Sequence, residues 1–321
     1  MADPTSNPNP SEPNGAPGGQ TPGGRLRSLL GIAIAVVIFV FLARAIWRSW
    51  ATVSTYPWRF DAGWLSASVV LVWVSFFFFI WLWRFQLHIL TGRLLPFLTA
   101  FRIWVLSNLG KYVPGKVWAV AGMVYMLRKE NVSSSNAVSS SLLHQAYSIA
   151  ASGLFAAVIL GTEVFSGLTW ISWIIGAAVL VIVLYPPSFA WCVNLGLRLF
   201  RRGPIEITIS PLRALGIFTV YLLSWVVYGV SLWTMLKGLS PTDIGIWEGS
   251  ASFVAAYLIG FLAVFAPGGL GVREGILTLL LSTHMDASLA GVVAVASRLW
   301  TSVVELLGLV PIGLGLGRSA R

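Results

Sequence analysis

Six long apolar runs restrict this chain to one kind of fold. They cover roughly Leu26–Ala45, Gly63–Trp83, Ala137–Gly161, Gly167–Tyr185, Arg213–Leu236 and Ser288–Leu316. About 20 helical residues cross a hydrocarbon core of about 30 Å, and each run is close to that length or longer. In lipid every backbone N–H and C=O group needs an internal partner, which a helix supplies within one segment. The runs therefore predict an all-α, polytopic membrane protein with about six full spans.

Composition and charge agree with lipid as the main solvent. Hydrophobic residues make up 57% of the chain and charged residues 10%, which is too little charge to cover a water-soluble domain of this size. The net charge is +10, but the basic residues lie in short loops beside the apolar runs. We therefore expect anionic lipid headgroups as their counterpart, and no nucleic acid. The single cysteine, Cys192, excludes an intramolecular disulfide.

Two further apolar regions, Leu94–Leu127 and Gly249–Leu281, are interrupted by helix-breaking residues. The first carries Lys111, Pro114, Gly115 and Lys116; the second carries Pro267, Gly268, Gly269, Gly271, Arg273 and Glu274. Proline removes a backbone donor and glycine loosens a helix, so each region is predicted to break midway. Such a break at membrane depth is tolerated only where protein or a wet cavity covers it. We predict two re-entrant helical hairpins; a pair of kinked full spans in each region is the alternative.

The remaining sequence gives the domain limits and the orientation. Residues 1–24, rich in Pro, Gly, Asn and Ser, are predicted to be a disordered tail, and residues 25–321 a single transmembrane domain. If the hairpins return to the side they left, most basic loops share one side, which makes that side cytoplasmic. Both termini are then cytoplasmic, in a prokaryotic plasma or inner membrane. Three arginines would lie on the opposite side, which argues against this orientation: Arg44, Arg48 and Arg59.

The order of elements recurs in two halves, about 63–187 and 213–316. Pro114 follows Trp83 by 31 residues, Pro267 follows Leu236 by 31 residues, and the two prolines are 153 positions apart. In the orientation above, the first spans of the two halves run in opposite directions. The spacing therefore predicts an inverted-topology repeat, an architecture typical of transporters, in which the substrate site lies at the repeat interface.

The first half offers an anion site at its break. A helix that restarts after Pro114-Gly115 exposes backbone N–H groups between Lys111 and Lys116, an arrangement suited to phosphate. The alternative is that both lysines extend to the cytoplasmic headgroups. The next span carries a polar stripe, Ser141, His144, Ser148 and Ser152, in which His144 is a minor candidate ligand residue.

The second half offers a denser set of charges. Gly268 and Gly271 permit close backbone approach, and the planar guanidinium of Arg273 suits phosphate. Glu274 is interpreted mainly as part of a structural ion pair, with Arg298 or with a basic residue of the other half. Arg298 and Glu305 share one helical face; they either neutralise each other or line a polar cavity for a lipid headgroup.

Motifs of catalysis are missing from the sequence. It contains no metal-ligand spacing, nucleophile elbow or P-loop. We therefore expect no enzymatic activity, no catalytic residue, no metal and no cofactor. The alternative is a membrane-embedded transferase, for which Glu274 or Glu305 would have to serve as the acid or base.

The segments Asn108–Trp118 and Ala266–Glu274, together with Arg128 and Arg298, resemble the transmembrane region of lysylphosphatidylglycerol synthases and its stand-alone relatives. The resemblance implies a flippase-like fold whose members move aminoacylated phospholipids or act in polyprenyl-linked glycolipid pathways. The resemblance also implies that eight matching positions are site residues: Pro114, Gly115, Pro267, Gly268, Gly271, Arg273, Glu274 and Arg298. His144 stands where a typical first half has Arg or Asp. The aminoacyl-transfer domain of the synthases is missing, so lysine transfer is not expected.

These observations predict a lipid-binding membrane protein that translocates, or presents across the bilayer, an anionic phospholipid or a polyprenyl-linked glycolipid. The alternative is a non-transporting accessory subunit of a membrane glycosyltransferase or lipid-modifying enzyme. The expected partners are membrane lipids; such an enzyme and a second copy of the chain in a homodimer are further candidates.

Overall fold

The computed structural model describes residues 58–112, 117–164, 185–199, 209–239, 243–263 and 266–315, with a few isolated positions between residues 47 and 204. Within these residues the chain is helical and contains no strand, which confirms the predicted all-α class. The predicted tail and the run Leu26–Ala45 lie outside the described residues, and so does most of the run Gly167–Tyr185.

The helices fall into two series with the same order of elements. They are α1 (Ala62–Thr91), α2 (Phe97–Asn108), α3 (Val117–Lys129), α4 (Ser134–Val164), α5 (Pro186–Leu199), α6 (Pro211–Leu239), α7 (Ile246–Leu262), α8 (Val272–Leu281), α9 (Ala287–Leu307) and α10 (Leu309–Gly313). Among the described residues, four stretches are long and apolar enough to cross a membrane: Ala62–Thr91, Ser134–Gly161, Pro211–Leu239 and Ala287–Gly313. They correspond to four of the six predicted runs.

Both interrupted regions form two short helices separated by a break. After α2 the chain enters a 3₁₀ turn, Leu109–Tyr112, and after α7 it enters a second 3₁₀ turn, Pro267–Gly269. The 12 residues of α2 and the 10 of α8 extend about 18 and 15 Å, well short of a bilayer core. The helices of each pair pack against each other, and the two 3₁₀ turns are in contact. The predicted break residues Pro114 and Gly115 lie outside the described residues.

The first long helices of the two halves, α1 and α6, pack against each other in opposite directions. Near the start of α1, the Asp61 N–H donates to the Gly238 carbonyl at 3.0 Å, near the end of α6. Towards the end of α1, Gln86 Oε1 accepts from the Tyr221 hydroxyl at 3.1 Å, near the start of α6. The second long helices, α4 and α9, begin 153 positions apart, the offset predicted from the two prolines. Antiparallel packing of equivalent helices is the arrangement that an inverted-topology repeat requires.

Aspartate side chains begin two of the long helices. Asp61 Oδ1 accepts from the backbone N–H groups of Gly63 and Trp64, at 2.8 and 3.1 Å. Asp286 Oδ1 likewise accepts from the N–H of Ser288 at 2.8 Å, at the start of α9. The first N–H groups of a helix have no partner within it, so these carboxylates satisfy donors that the helix itself leaves open.

Glycine allows the second hairpin to close. A Cβ at Gly260 on α7 would lie 2.8 Å from the Cβ of Arg273 on α8. Gly269 has a φ of +73°, and a Cβ there would lie 2.7 Å from the Gly260 carbonyl oxygen. No real Cβ atom tolerates such distances, and side chains rarely adopt this φ. The two glycines therefore bring the backbone of the break and Arg273 directly against α7.

We predict that Gly260→Ala forces α7 and α8 apart and lowers the free energy of unfolding by about 1–3 kcal/mol, because an added methyl group overpacks the contact. The measurement is unfolding of the purified protein in mixed detergent micelles. The matched control is Gly275→Ala on α8, where a Cβ meets nothing within 4 Å; it should change stability by at most about 1 kcal/mol. Equal effects of the two substitutions would contradict the close contact.

Candidate functional site

A cavity of about 200 Å³ lies between the two halves. Its wall is built from α1, the end of α2 with the first 3₁₀ turn, and α3 and α4 on one side. The other side consists of α6, α7, the second 3₁₀ turn, α8 and α9. Six residues predicted from the sequence lie on this wall: Lys111, His144, Gly268, Arg273, Arg298 and Glu305. The interface between the two series of helices therefore holds a polar cavity, in the place where the predicted inverted repeat would have its substrate site.

The other predicted residues are not among the described residues of this wall. Pro114, Gly115 and Lys116 are outside the described residues. Pro267, Gly271 and Glu274 belong to the second hairpin but not to the cavity wall. They shape the element that carries Gly268 and Arg273.

Arg273 brings a buried positive charge to the wall. Its side chain is only 4% exposed, and its guanidinium carbon lies 5.3 Å from the centre of the Tyr257 ring. In the described part of the chain, its Nη2 atom has no hydrogen-bond partner and no carboxylate lies within ion-pair distance. A buried cation without an anionic partner is costly, so an anionic ligand atom beside it would be strongly stabilised.

Glu274 and Arg298 close the second hairpin against α9. Glu274 Oε2 accepts from the Gly271 N–H at 2.7 Å, and its Oε1 lies 3.9 Å from Arg298 Nε. Arg298 Nη1 also donates to the Gly268 carbonyl at 2.8 Å. This geometry agrees with the structural ion pair expected for Glu274. It also satisfies a carbonyl that the broken helix leaves without an internal partner.

Lys111 and Glu305 connect the two halves across the cavity. Lys111 Nζ lies 2.6 Å from Glu305 Oε1, although the residues are 194 positions apart, and their side chains are 24% and 16% exposed. The sequence left two roles open for Arg298 and Glu305: mutual neutralisation, or the lining of a polar cavity. Both residues lie on the cavity wall, and among the described residues Glu305 forms an ion pair with Lys111 and Arg298 forms one with Glu274. The ammonium of Lys111 consequently lies on the cavity wall.

His144 takes part in a chain of hydrogen bonds between three helices. Its Nδ1 lies 2.6 Å from the Tyr221 hydroxyl, which donates to Gln86 Oε1. Because the hydroxyl proton points to Gln86, the histidine Nδ1 is assigned as the donor to Tyr221. In the same polar stripe, the Ser148 hydroxyl accepts from Trp225 Nε1 at 3.1 Å. The stripe therefore both lines the cavity and holds α4 against α1 and α6.

An aromatic cluster, Trp225, Tyr228 and Tyr257, completes the wall and was missed in the sequence. The Trp225 and Tyr228 rings lie 5.1 and 5.8 Å from the Tyr257 ring. The Tyr228 hydroxyl is buried and has no hydrogen-bond partner among the residues that the structure describes. A usable signal was present, because Tyr221, Trp225 and Tyr228 recur at helical spacing along their span.

The wall is electropositive. The wall has three cationic side chains, Lys111, Arg273 and Arg298, and one carboxylate, Glu305, so its described net charge is +2 with His144 counted as neutral. If Glu274, the ion-pair partner of Arg298, is included, the net charge is +1. Aromatic rings line the same wall, and a charge beside such apolar surface attracts an anion more strongly than a charge in bulk water does. The arrangement suits an anionic group attached to an apolar molecule.

Fold and cavity together define a polytopic membrane protein with a cationic site between two similar halves. The chain belongs to the lysylphosphatidylglycerol synthase transmembrane region family, whose sequence model matches residues 28–308. This confirms the resemblance found in the Pro-Gly segments. No curated protein shows a significant similarity to the chain. Membership of the family indicates a role connected with membrane lipids.

We predict that Lys111→Gln and Glu305→Gln each destabilise the protein, while the double variant loses less than the sum of the two. Removal of one charge takes this ion pair from the other residue, and contacting charged residues show coupling of about 0.5–3 kcal/mol in such cycles. The measurement is the free energy of unfolding of all four proteins in mixed micelles. Strict additivity would show that the ion pair does not connect the halves.

Proposed function

We propose that this protein binds an anionic phospholipid or a polyprenyl-linked glycolipid by its headgroup, and translocates it or presents it across the bilayer. The observation that carries the proposal is Arg273, a buried guanidinium on the cavity wall without an anionic partner among the described residues. Its planar donors match the geometry of a phosphate group. A headgroup phosphate would supply the missing negative charge.

The architecture supports movement of the lipid between two sides. In this proposal the halves form an inverted repeat and the two broken regions are re-entrant hairpins. Their tips meet where the turn Leu109–Tyr112 contacts the turn Pro267–Gly269. Small rotations of one half against the other would then open the site first to one side and then to the other. Both termini would be cytoplasmic, as the basic loops favour.

The acyl chains would remain in the lipid while the headgroup occupies the cavity. The outer surface of α1 presents exposed apolar side chains, among them Val70 and Phe77 at 59% and 48%. On the inner side, Phe76 and Phe79 from the same helix line the cavity. An amphiphile therefore meets polar groups within the cavity and apolar surface around the bundle. We propose binding without chemical change to the lipid.

The test is reconstitution into proteoliposomes that contain fluorescent phosphatidylglycerol or fluorescent polyprenyl phosphate. We expect the protein to accelerate the exchange of at least one lipid between leaflets, or to retain it in a stoichiometric complex. Arg273→Ala should reduce that activity or binding by about tenfold or more, because it removes a charged hydrogen-bond donor. Arg298→Ala should also reduce it, because the second hairpin loses its tie to α9.

The matched control is Arg213→Ala, an exposed arginine at the start of α6, outside the cavity. It should leave both readouts unchanged. The proposal would be refuted if the protein neither exchanges nor binds the two lipids, or if its activity survives both cavity substitutions. An accessory role to another membrane enzyme would then be the hypothesis to examine, by co-purification with that enzyme.

A further inference from the structure

We infer that the cavity selects a phosphate headgroup that carries no amine, and that it discriminates against aminoacylated phospholipids. The inference rests on the proposed function, because it specifies the lipid class of the same site. It follows from the partners that the acidic and aromatic groups of the wall already have.

An ammonium group in a low-dielectric cavity needs a carboxylate beside it. On the described wall that carboxylate is Glu305, and the Lys111 ammonium lies 2.6 Å from it. The nearby Glu274 is off the wall, and its two oxygens face the Gly271 N–H and Arg298 Nε. Each acidic group near the described cavity is thus already engaged by a cation or donor of the protein.

Aromatic rings are the other group that recognises ammonium ligands, through their electron-rich faces. The Tyr257 ring already has a cation over it, since the Arg273 guanidinium carbon is 5.3 Å from its centre. Trp225 and Tyr228 pack against Tyr257 and against each other, with ring centres 5.1 to 5.8 Å apart. An incoming ammonium would have to displace Arg273 from this cluster, so the aromatic wall favours no second cation.

The groups that remain available suit a phosphate with hydroxyl substituents. Arg273 Nη2 and the Tyr228 hydroxyl are buried and have no partner within the described ranges. The amide side chains of Asn108 and Gln145 also face the cavity, and amides and hydroxyls bind hydroxyl groups without needing charge. A phosphoglycerol headgroup and a lipid-linked sugar phosphate share this chemistry. A lysyl ester adds two ammonium groups to a wall whose described net charge is already +2.

The test measures displacement of fluorescent phosphatidylglycerol from the full chain in phosphatidylcholine nanodiscs. The competitors are phosphatidylglycerol, lysylphosphatidylglycerol and a polyprenyl phosphate sugar. We expect the two amine-free lipids to displace the probe at concentrations about tenfold or more below the concentration of lysylphosphatidylglycerol that is needed. The reason is that the ammonium groups of the lysyl ester would lie beside the cationic wall, and such contacts between like charges are costly. The amine-free lipid that competes better is the source of the phosphate. Better competition by phosphatidylglycerol and better competition by the polyprenyl phosphate sugar would each support the inference.

Two substitutions on the wall should change this preference in opposite directions. Lys111→Gln removes one positive charge and lowers the described net charge of the wall to +1, so the preference for phosphatidylglycerol over its lysyl ester should shrink several-fold. Glu305→Gln removes the carboxylate and should enlarge the preference; it also keeps the test valid where Lys111→Gln does not fold. The control is Lys129→Gln, since Lys129 is exposed over the Tyr125 ring away from the cavity.

The outcomes separate the two proposals. Equal or stronger competition by lysylphosphatidylglycerol, still dependent on Arg273, would overturn the selectivity and leave lipid binding intact. The absence of displacement by every lipid, or displacement unaffected by Arg273→Gln, would overturn both the selectivity and the proposed function. A preference that neither wall substitution changes would overturn the role of the Lys111–Glu305 pair in selection.

Discussion

Broken backbone inside apolar sequence is the constraint on which the rest of this structure depends. A helix interrupted within a membrane protein leaves N–H and C=O groups that lipid cannot satisfy, so protein or a wet cavity must cover them. Here the two breaks cover each other, because the turn Leu109–Tyr112 meets the turn Pro267–Gly269. Arg298 then satisfies the Gly268 carbonyl in the second break. The cavity is a consequence of this solution, since two irregular turns cannot pack as densely as two helices.

The charges of the site follow from the same constraint. Arg298 is held by the backbone of the second break and by Glu274, and Lys111 reaches across to Glu305. A buried charge is tolerated when it is paired and hydrogen-bonded. Arg298 and Lys111 both meet this condition. Arg273 differs, because Gly260 brings its backbone against α7 while its guanidinium faces an aromatic ring instead of an acid. The fold thus fixes its position without neutralising it, which is the property expected of a group that meets a ligand.

The sequence was sufficient to predict the helical class, the two breaks, the 153-residue offset and six residues of the wall. These features depend on local rules: length of apolar runs, the backbone chemistry of proline and glycine, and helical spacing. The sequence was insufficient to predict which residues pair with each other in ion pairs and hydrogen bonds. Periodicity places Glu305 on the same face as Arg298 but does not reveal that the first hairpin delivers Lys111 to it from 194 positions away. Likewise, the hydrogen bond from His144 to Tyr221 depends on how α4 packs on α6, which no single-helix pattern contains.

The two halves share an order of elements but not a distribution of charge. The described wall residues of the first half supply Lys111 and the neutral pair His144 and Gln145, whereas the second half supplies Arg273, Arg298 and Glu305. If the halves rotate against each other as proposed, the headgroup phosphate would stay with the second half. Lys111 and Glu305 would have to separate in that motion, at the cost of breaking a partly buried ion pair. An anionic headgroup near Lys111 would offset part of that cost, because it replaces the Glu305 carboxylate as the partner of the lysine. The charge that attracts the lipid would then also favour the movement of the halves once the lipid is bound.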